Sequence, residues 1–557
     1  MRLYAVLLSI VFAIVFVAQI LGFIGFYTAP IVIPATVVVA ILAYIAYQRY
    51  GVSWFETLSP SESQSKWLRN SILFICMMLV TVVFLQRMVL WHQSTLGAII
   101  SPDFGAYHSV KAYQLLRDGS AWNLAIPYGQ YPFGYESLIA FFMFFVDDIR
   151  VTGTVHALIF LLFWLTIALL IVRYSQLPLD ASLLIALAIC FTPIVFPQSL
   201  NIGKNDIFLS LTVLMAILHA PVGSEHFHPM GLAFATMLSL ATKATGLYIL
   251  FYLWGLVMLN WGLRFRDGTW QDYLQPITFL LTLVVMFPGG LWVIRNFLIL
   301  GELFTSEINS FFQTSIFANL DNPALYNSPS SSTLLLVLIV VLVLSVISLF
   351  YRRLGWQMSG TLLVITVTFA ITPLSAFLTA NNLNYLDVQW RFVVHGIVIL
   401  WIVAVAILAP VIRFLYERVS SQEVLSIIAS AGVIAAGFGL IFVLGIDDLF
   451  GQNPAQWEKM LDPSLQENSI YDEIATLEEG TIYIENTNWL AILARNPDLR
   501  ITELRYPLGH ADVYPVPDVD YIAFIPVFTD EPTGLIFNET DWELIFDNDT
   551  GRLYQRR

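Results

Sequence analysis

Two cysteines in 557 residues, Cys76 and Cys190, leave no material for a disulfide framework or a cysteine metal site. Both sit in apolar runs, so the redox compartment stays open. Charge is equally scarce. Only 12% of residues are Asp, Glu, Lys or Arg, about half the share of a soluble domain, which excludes an ordinary solvated globule. No basic face stands out either, and that argues against nucleic acid as a partner. What fills the space is apolar: 58% of the chain is hydrophobic and 14% aromatic, with a mean hydropathy of +0.74. The composition is that of an α-helical polytopic membrane protein.

The net charge of −14 is unevenly spread. From Asp447 onward there are 22 acidic and 7 basic residues, whereas residues 1–446 carry 18 and 19. A neutral membrane portion is therefore followed by an acidic tail. A bilayer core of about 30 Å needs roughly 20 apolar residues per helix. On that measure about thirteen runs are candidate spans: 3–26, 30–48, 72–91, 152–172, 181–197, 205–220, 229–243, 246–262, 274–294, 333–351, 358–379, 390–409 and 424–446. The first run is longer than a signal-peptide core, lacks a small-residue cleavage pattern and is followed at once by a second span, so it reads as retained. Residues 133–147 are too short to cross, include Glu136 and end in DDIR, and so read as interfacial or re-entrant. The tail reads as a small α/β domain. EIATLEEG is helical in pattern, TIYIEN and DYIAFIPV are strand-like, and WELIFDNDTGRLYQRR is a closing hairpin turning at Asp549-Thr550-Gly551.

Loops holding Arg49, Lys66 and Arg69, then Arg173, Arg264 and Arg266, Arg352 and Arg353, and Arg413 and Arg418 share one side when 133–147 does not cross. The positive-inside bias makes that side cytoplasmic, which puts the N-terminus inside and the tail outside. The polar and aromatic islands then gather on the outer face. The stretch SPDFGAYHSVKAYQLLRDG opens with a helix-start signal at Asp103 and continues as a juxtamembrane helix, and the aromatic YGQYPFGYESL follows it. GKND places Lys204, Asn205 and Asp206 at the start of a span, Lys243 interrupts ATKATGL, and Arg295 and Arg391 stand at outer helix ends. Each island has a plainer reading: Asp103, Asn205 and Asp206 as caps, and the cations as snorkelling side chains. An ionisable residue at membrane depth, as at Lys243, is by default a functional candidate. Cations together suit a lipid phosphate, and a carboxylate beside them suits a general base or a metal ligand.

Motif order then gives a resemblance. A span, an outer loop with an early aspartate and AYH (Asp103 to His108), YPFGYESL, GKND at 203–206, WVIRNFLILGELF at 292–304 and a late loop ending at Arg391 resemble the GT-C superfamily of polyprenyl-phosphate-dependent glycosyltransferases. Its protein mannosyltransferases and lipid A aminoarabinose transferases are the members most alike. The resemblance covers about residues 70–410, and it implies three parts. These are two extra N-terminal helices in 1–50, a GT-C-like catalytic membrane domain in 70–446, and an exoplasmic or periplasmic acidic domain in 447–557.

The resemblance also implies an inverting transfer from a polyprenyl-phosphate sugar to an acceptor hydroxyl on a glycan, lipid or protein, at the outer face of the cell membrane. Asp103 would be the base and Asp206 its second carboxylate. Arg295, Arg391, Lys204 and Lys243 would meet the donor phosphate, and Tyr107, His108, Tyr135, Glu136 and Asn205 the sugar or acceptor. A divalent cation, Mg or Mn, on Asp103 and Asp206 is a candidate cofactor. The rival readings are a transporter or flippase of lipid-linked saccharide and a non-catalytic membrane assembly protein.

Overall fold

The computed structural model describes residues 2–50, 65–93, 104–192 (except 125, 127 and 128), 195–196, 203–222, 227–243, 247–301 (except 267) and 394–443. It also describes residues 468–484, 496–502 (except 497), 514–515, 518–524, 535–536 and 539–557, with isolated positions between 339 and 364. Asp103, Arg391 and most of the runs 333–351 and 358–379 lie outside these.

The remaining apolar runs all fall on helices, because in lipid a spanning backbone must bond to itself. In chain order the helices are α1 Arg2–Ile24, α2 Ala29–Arg49, α3 Lys66–Gln93, α4 Ser109–Asp118, α5 Gly134–Val146, α6 Thr152–Ser175 and α7 Leu179–Cys190. They continue as α8 Asp206–His219, α9 Pro229–Thr242, α10 Leu247–Arg266, α11 Pro276–Met286, α12 Leu291–Leu300, α13 Val394–Ser421 and α14 Glu423–Val443. Seven segments among the described residues are long and apolar enough to cross a membrane, including α11 and α12 joined as Pro276–Leu300. The helices α5, α7, α8 and α9 are shorter apolar ones. The protein is multi-pass, and the expected runs 333–351 and 358–379 lie mostly outside the described residues in which these spans are found.

Two boundaries differ from expectation for physical reasons. The run 274–294 is broken at Phe287–Gly290, a 3₁₀ turn, where Pro288 and two glycines interrupt the α ladder. Arg413 and Arg418 are not in a loop, because α13 continues through Pro410 to Ser421. The N-terminal pair is no appendage: Tyr4, Leu8, Val11, Phe12 and Val15 of α1 are buried in the same core as α6, α8 and α9.

The bundle has two distinct ends. At one, Arg173 donates to the carbonyl of Ala220 (2.7 Å) and Arg413 to that of Gln176 (2.8 Å). Tyr416 bonds Asp180 there, and Tyr47 meets His219 Nε2 at 2.9 Å. Arg49, Lys66, Arg69, Arg264 and Arg266 occupy helix ends on that side. At the other end Tyr27 N–H donates to Gly119 (2.9 Å) and Ala121 N–H to Gly22 (2.9 Å), which ties the α1–α2 turn to the segment after α4.

The tail is the expected α/β unit. Helix α15 (Ile470–Thr476) precedes β1 (Thr481–Ile484), β2 (Arg500–Thr502), β3 (Tyr514–Pro515), β4 (Tyr521–Phe524), β5 (Leu535–Ile536), β6 (Trp542–Asn548) and β7 (Gly551–Arg556). The main sheet runs β2-β1-β4-β7-β6, parallel across β2, β1 and β4 and antiparallel beyond. Asn548 pairs with Gly551 across the hairpin, where Gly551 takes a φ of +150°. Alternation assigns the faces. Ile482, Ile484, Tyr521 and Ala523 point into one core, and Tyr483 and Ile522 into the other.

The first of those cores also contains Val110 of α4 and Ile126, with Tyr113 packed against it. The tail is therefore docked on α4 rather than tethered beside it. Leu115, on another face of the same helix, belongs to the membrane core. Arg117 Nη1 adds a bond to the Leu499 carbonyl (2.7 Å). Arg117→Ala is expected to cost about 1 kcal/mol, the worth of one partly exposed hydrogen bond. Thermal unfolding in detergent, followed by release of the 447–557 domain to protease, would measure it.

Candidate functional site

The site is built at the end away from the basic helix termini. A π turn, Phe104–His108, leads into α4. Its Phe104 ring fills space that only a glycine at 203 leaves open, since a Cβ there would lie 2.6 Å from the ring. Gly203 also takes a φ of +89°, where glycine is favoured. One turn on, His108 Nδ1 lies 2.5 Å from Glu136 Oε1, each side chain 1% exposed. Burial alone would raise the Glu136 pKa, but the neighbouring His108 and then Lys111 outweigh it and hold the carboxyl below its usual range. The Tyr107 ring lies tilted against His108 (4.1 Å between centroids), and Tyr135 meets His108 edge-on (5.5 Å).

Helix α5 is pinned from its first residue. Gly134 abuts the Ala241 carbonyl so closely that a Cβ would sit 2.6 Å from it. That contact brings Glu136 near the end of α9, where Lys243 Nζ donates to Asp206 Oδ1 at 2.7 Å. Asn205 Nδ2 donates to the Thr242 carbonyl (3.3 Å), so the start of α8 and the end of α9 are joined twice. Lys204 offers its carbonyl to His156 Nε2 (3.4 Å), and Tyr135 meets His156 edge-on (6.0 Å). Neither Asn205 nor Asp206 acts as a simple cap: the Asn205 side chain makes no cap bond, and Asp206 holds the lysine.

The structure thus brings together Tyr107, His108, Tyr135, Glu136, Lys204, Asn205, Asp206 and Lys243. It gives Arg295 a different occupation. Its buried guanidinium donates to the carbonyls of Ala121 (2.7 Å), Gly129 (2.8 Å) and Tyr131 (3.3 Å), and to Asn296 Oδ1 (3.1 Å). Asn296 Nδ2 adds a bond to the Gln130 carbonyl (2.7 Å). Arg295 and Asn296 together hold the aromatic segment in place.

Lys111 is absent from the sequence-level candidates, yet it stands at the centre. Its side chain is 94% buried, being 6% exposed. The Nζ lies 5.7 Å from the Tyr107 ring centroid and 5.6 Å from that of Tyr131. Helical spacing was the available signal, because residues 111, 114 and 115 fall on one side of α4. Lys111, Gln114, Ser120, Asn123, Tyr131 and Arg295 line a small, half-open cleft.

Of the two carboxylates expected to hold a divalent cation, Asp103 lies outside the described residues. Asp206 Oδ1 is paired with an ammonium, and no group of three His, Cys, Asp or Glu side chains gathers among the described residues. No protein-family model matches the chain, and no curated protein matches its sequence. Among solved structures, the crystal structure of ArnT from Cupriavidus metallidurans bound to undecaprenyl phosphate shares the fold. It superposes with a TM-score of 0.51 at 14% identity, over 86% of this chain and 97% of that one. The polytopic helical architecture expected from the sequence is observed, and its fold is that of the ArnT structure.

Proposed function

We propose that the chain moves a sugar from a polyprenyl-phosphate donor to an acceptor hydroxyl at the outer membrane face, with inversion at the sugar's C1. The observation that carries this reading is the gathering of carboxylates, cations and aromatics at one end of a bundle that shares its fold with a protein crystallised with undecaprenyl phosphate. A lipid-borne donor reaches such a site sideways from the bilayer, and an acceptor reaches it from the water side.

In this proposal Asp103 takes the proton of the acceptor hydroxyl as its oxygen attacks C1, and polyprenyl phosphate leaves. Lys243, held by Asp206 and still 23% exposed, stabilises the departing phosphate together with Lys204 and Arg391. Each such preorganised donor contributes roughly 3 kcal/mol in a dry site. Tyr107 and Asn205 contact the sugar, while the His108–Glu136 pair fixes Tyr107 and Tyr135 behind it. Arg295 works by shaping the 121–131 wall. No step is routed through a divalent cation.

The test uses purified protein in liposomes with polyprenyl-phosphate pentose or hexose labelled in the sugar. The expected result is release of polyprenyl phosphate and labelled acceptor of inverted anomeric configuration. Movement of label across the bilayer with its glycosidic bond intact would replace this reading with a transporter. The transporter reading is disfavoured because the His108–Glu136 and Lys243–Asp206 pairs stand at helix ends rather than at mid-span.

A further inference from the structure

The cleft beneath α4 has an unbalanced charge. Among the described residues its lining includes two cations, Lys111 and Arg295, and no acidic side chain. Arg295 is 3% exposed and bonds neutral carbonyl and amide oxygens. Glu136, which acts on Lys111 electrostatically, meets His108 through Oε1 at 2.5 Å, while among the described residues its Oε2 makes no hydrogen bond, to Lys111 Nζ or otherwise. Lys111 Nζ has no hydrogen-bond acceptor among the described residues, and neither has Gln114 Nε2 beside it. Tyr107 and Tyr131 offset part of the cost of burying the ammonium, but a ring face carries no full negative charge. A water molecule would accept the hydrogen bonds and leave the charge as it was. Burying a cation in this way is costly unless an anion joins it.

We infer that the cleft is an oxyanion site, in which Lys111 Nζ and Gln114 Nε2 hold the phosphate or carboxylate group of a saccharide or lipid headgroup. The rest of the wall suits a sugar. Ser120 and Asn123 supply hydroxyl and amide groups, and Tyr131 and Phe133 supply aromatic surface. The 447–557 domain packs on the opposite side of α4 through Val110 and Tyr113, so it fixes the helix that presents Lys111. The role in transfer rests on the function proposed above; the binding does not.

A pH dependence follows. Burial, then the opposing pull of Glu136 and the repulsion of Arg295, bring the Lys111 pKa down from 10.5 to about 8. Among the described residues the titratable groups facing it are Tyr107 on its own segment, Glu136 on α5, Arg295 on α12 and Tyr131 in the loop. The unfolded chain keeps its proton up to the ordinary lysine value. Between about 8 and 10.5 it therefore binds more protons than the folded one, and stability rises with pH across that window. Anion affinity moves the other way, because only the ammonium attracts the anion.

The experiment is calorimetric titration of the full chain in detergent with glucuronate, glucose 1-phosphate and citronellyl phosphate, with glucose as the neutral control. At pH 7 at least one anionic probe should bind about tenfold or more tighter than glucose. Lys111→Met should remove most of that preference, and Lys111→Arg should keep it. In the wild type, affinity should fall up to about tenfold per pH unit above pH 8. Dependence on Lys111 seen only with citronellyl phosphate assigns the site to a lipid headgroup; seen with either sugar probe, it assigns a saccharide. Equal binding of anionic and neutral probes overturns the inference, as does a Lys111→Met titration identical to wild type. Should that variant fail to fold, a wild-type affinity flat from pH 7 to 9.5 overturns it instead. Anion binding that depends on Lys111 in a protein without transfer activity would sink the transferase reading alone.

Discussion

Asp103→Asn is expected to lower transfer by about 100-fold or more, the usual contribution of a general base, while the protein folds as before. The expectation comes from what stands on either side of this residue. Its chain neighbour Phe104 packs on Gly203, three residues before the Asp206 that holds Lys243. One turn after Phe104, His108 faces Glu136. The segment that begins at Phe104 is therefore anchored between the His108–Glu136 hydrogen bond and the Lys243–Asp206 ion pair. An asparagine keeps the side chain's size and its capping oxygen but cannot accept the acceptor's proton at neutral pH. Turnover at saturating donor, beside thermal unfolding of the same sample, separates the cases. Turnover within a few-fold of wild type would leave Asp103 a helix-start residue and return the base role to another carboxylate.

Much of the fold was legible because lipid imposes one rule on every span, and hydropathy reads that rule directly. The basic helix ends sorted as a set for the same reason. The tail hairpin was legible too, since alternation around Asp549-Thr550-Gly551 fixes both its strands and its turn. Boundaries failed where packing overrode local signals. Proline at 410 does not end α13, whose neighbours hold it past that point, whereas Pro288 followed by Gly289 and Gly290 does break the run 274–294.

The candidate site was legible in its residue types and hidden in its pairings. Lys243 and Asp206 are 37 positions apart, and Arg295 and Ala121 are 174 apart. No local pattern carries such separations. Lys111 was passed over because a lysine on a short polar helix reads as solvated. Only the docking of the 447–557 domain on one side of α4, and of the membrane core on another, makes it buried.

Arg295→Met is expected to destabilise the protein by about 3 kcal/mol and to lower activity with it. In the wild type one planar fork satisfies three carbonyls of the segment that follows α4. Removing the fork strands those acceptors, at about 1–3 kcal/mol for each that stays buried and unpaired. The total is less than the sum, because a released loop can turn some of its carbonyls to water and because a buried cation is no longer carried. Arg295→Lys should recover only part of the loss, since an ammonium is a point donor and cannot span Ala121 and Gly129 as a guanidinium does. Arg295 as a direct ligand of the donor phosphate makes a different forecast: donor KM rises while the unfolding temperature and the protease resistance of residues 120–131 stay put. Loss of both in Arg295→Met, with donor KM and turnover falling into line only as far as folded protein remains, identifies the residue as the clasp of the site's wall. A rise in KM alone would reinstate it as a phosphate ligand and leave the loop held by Asn296.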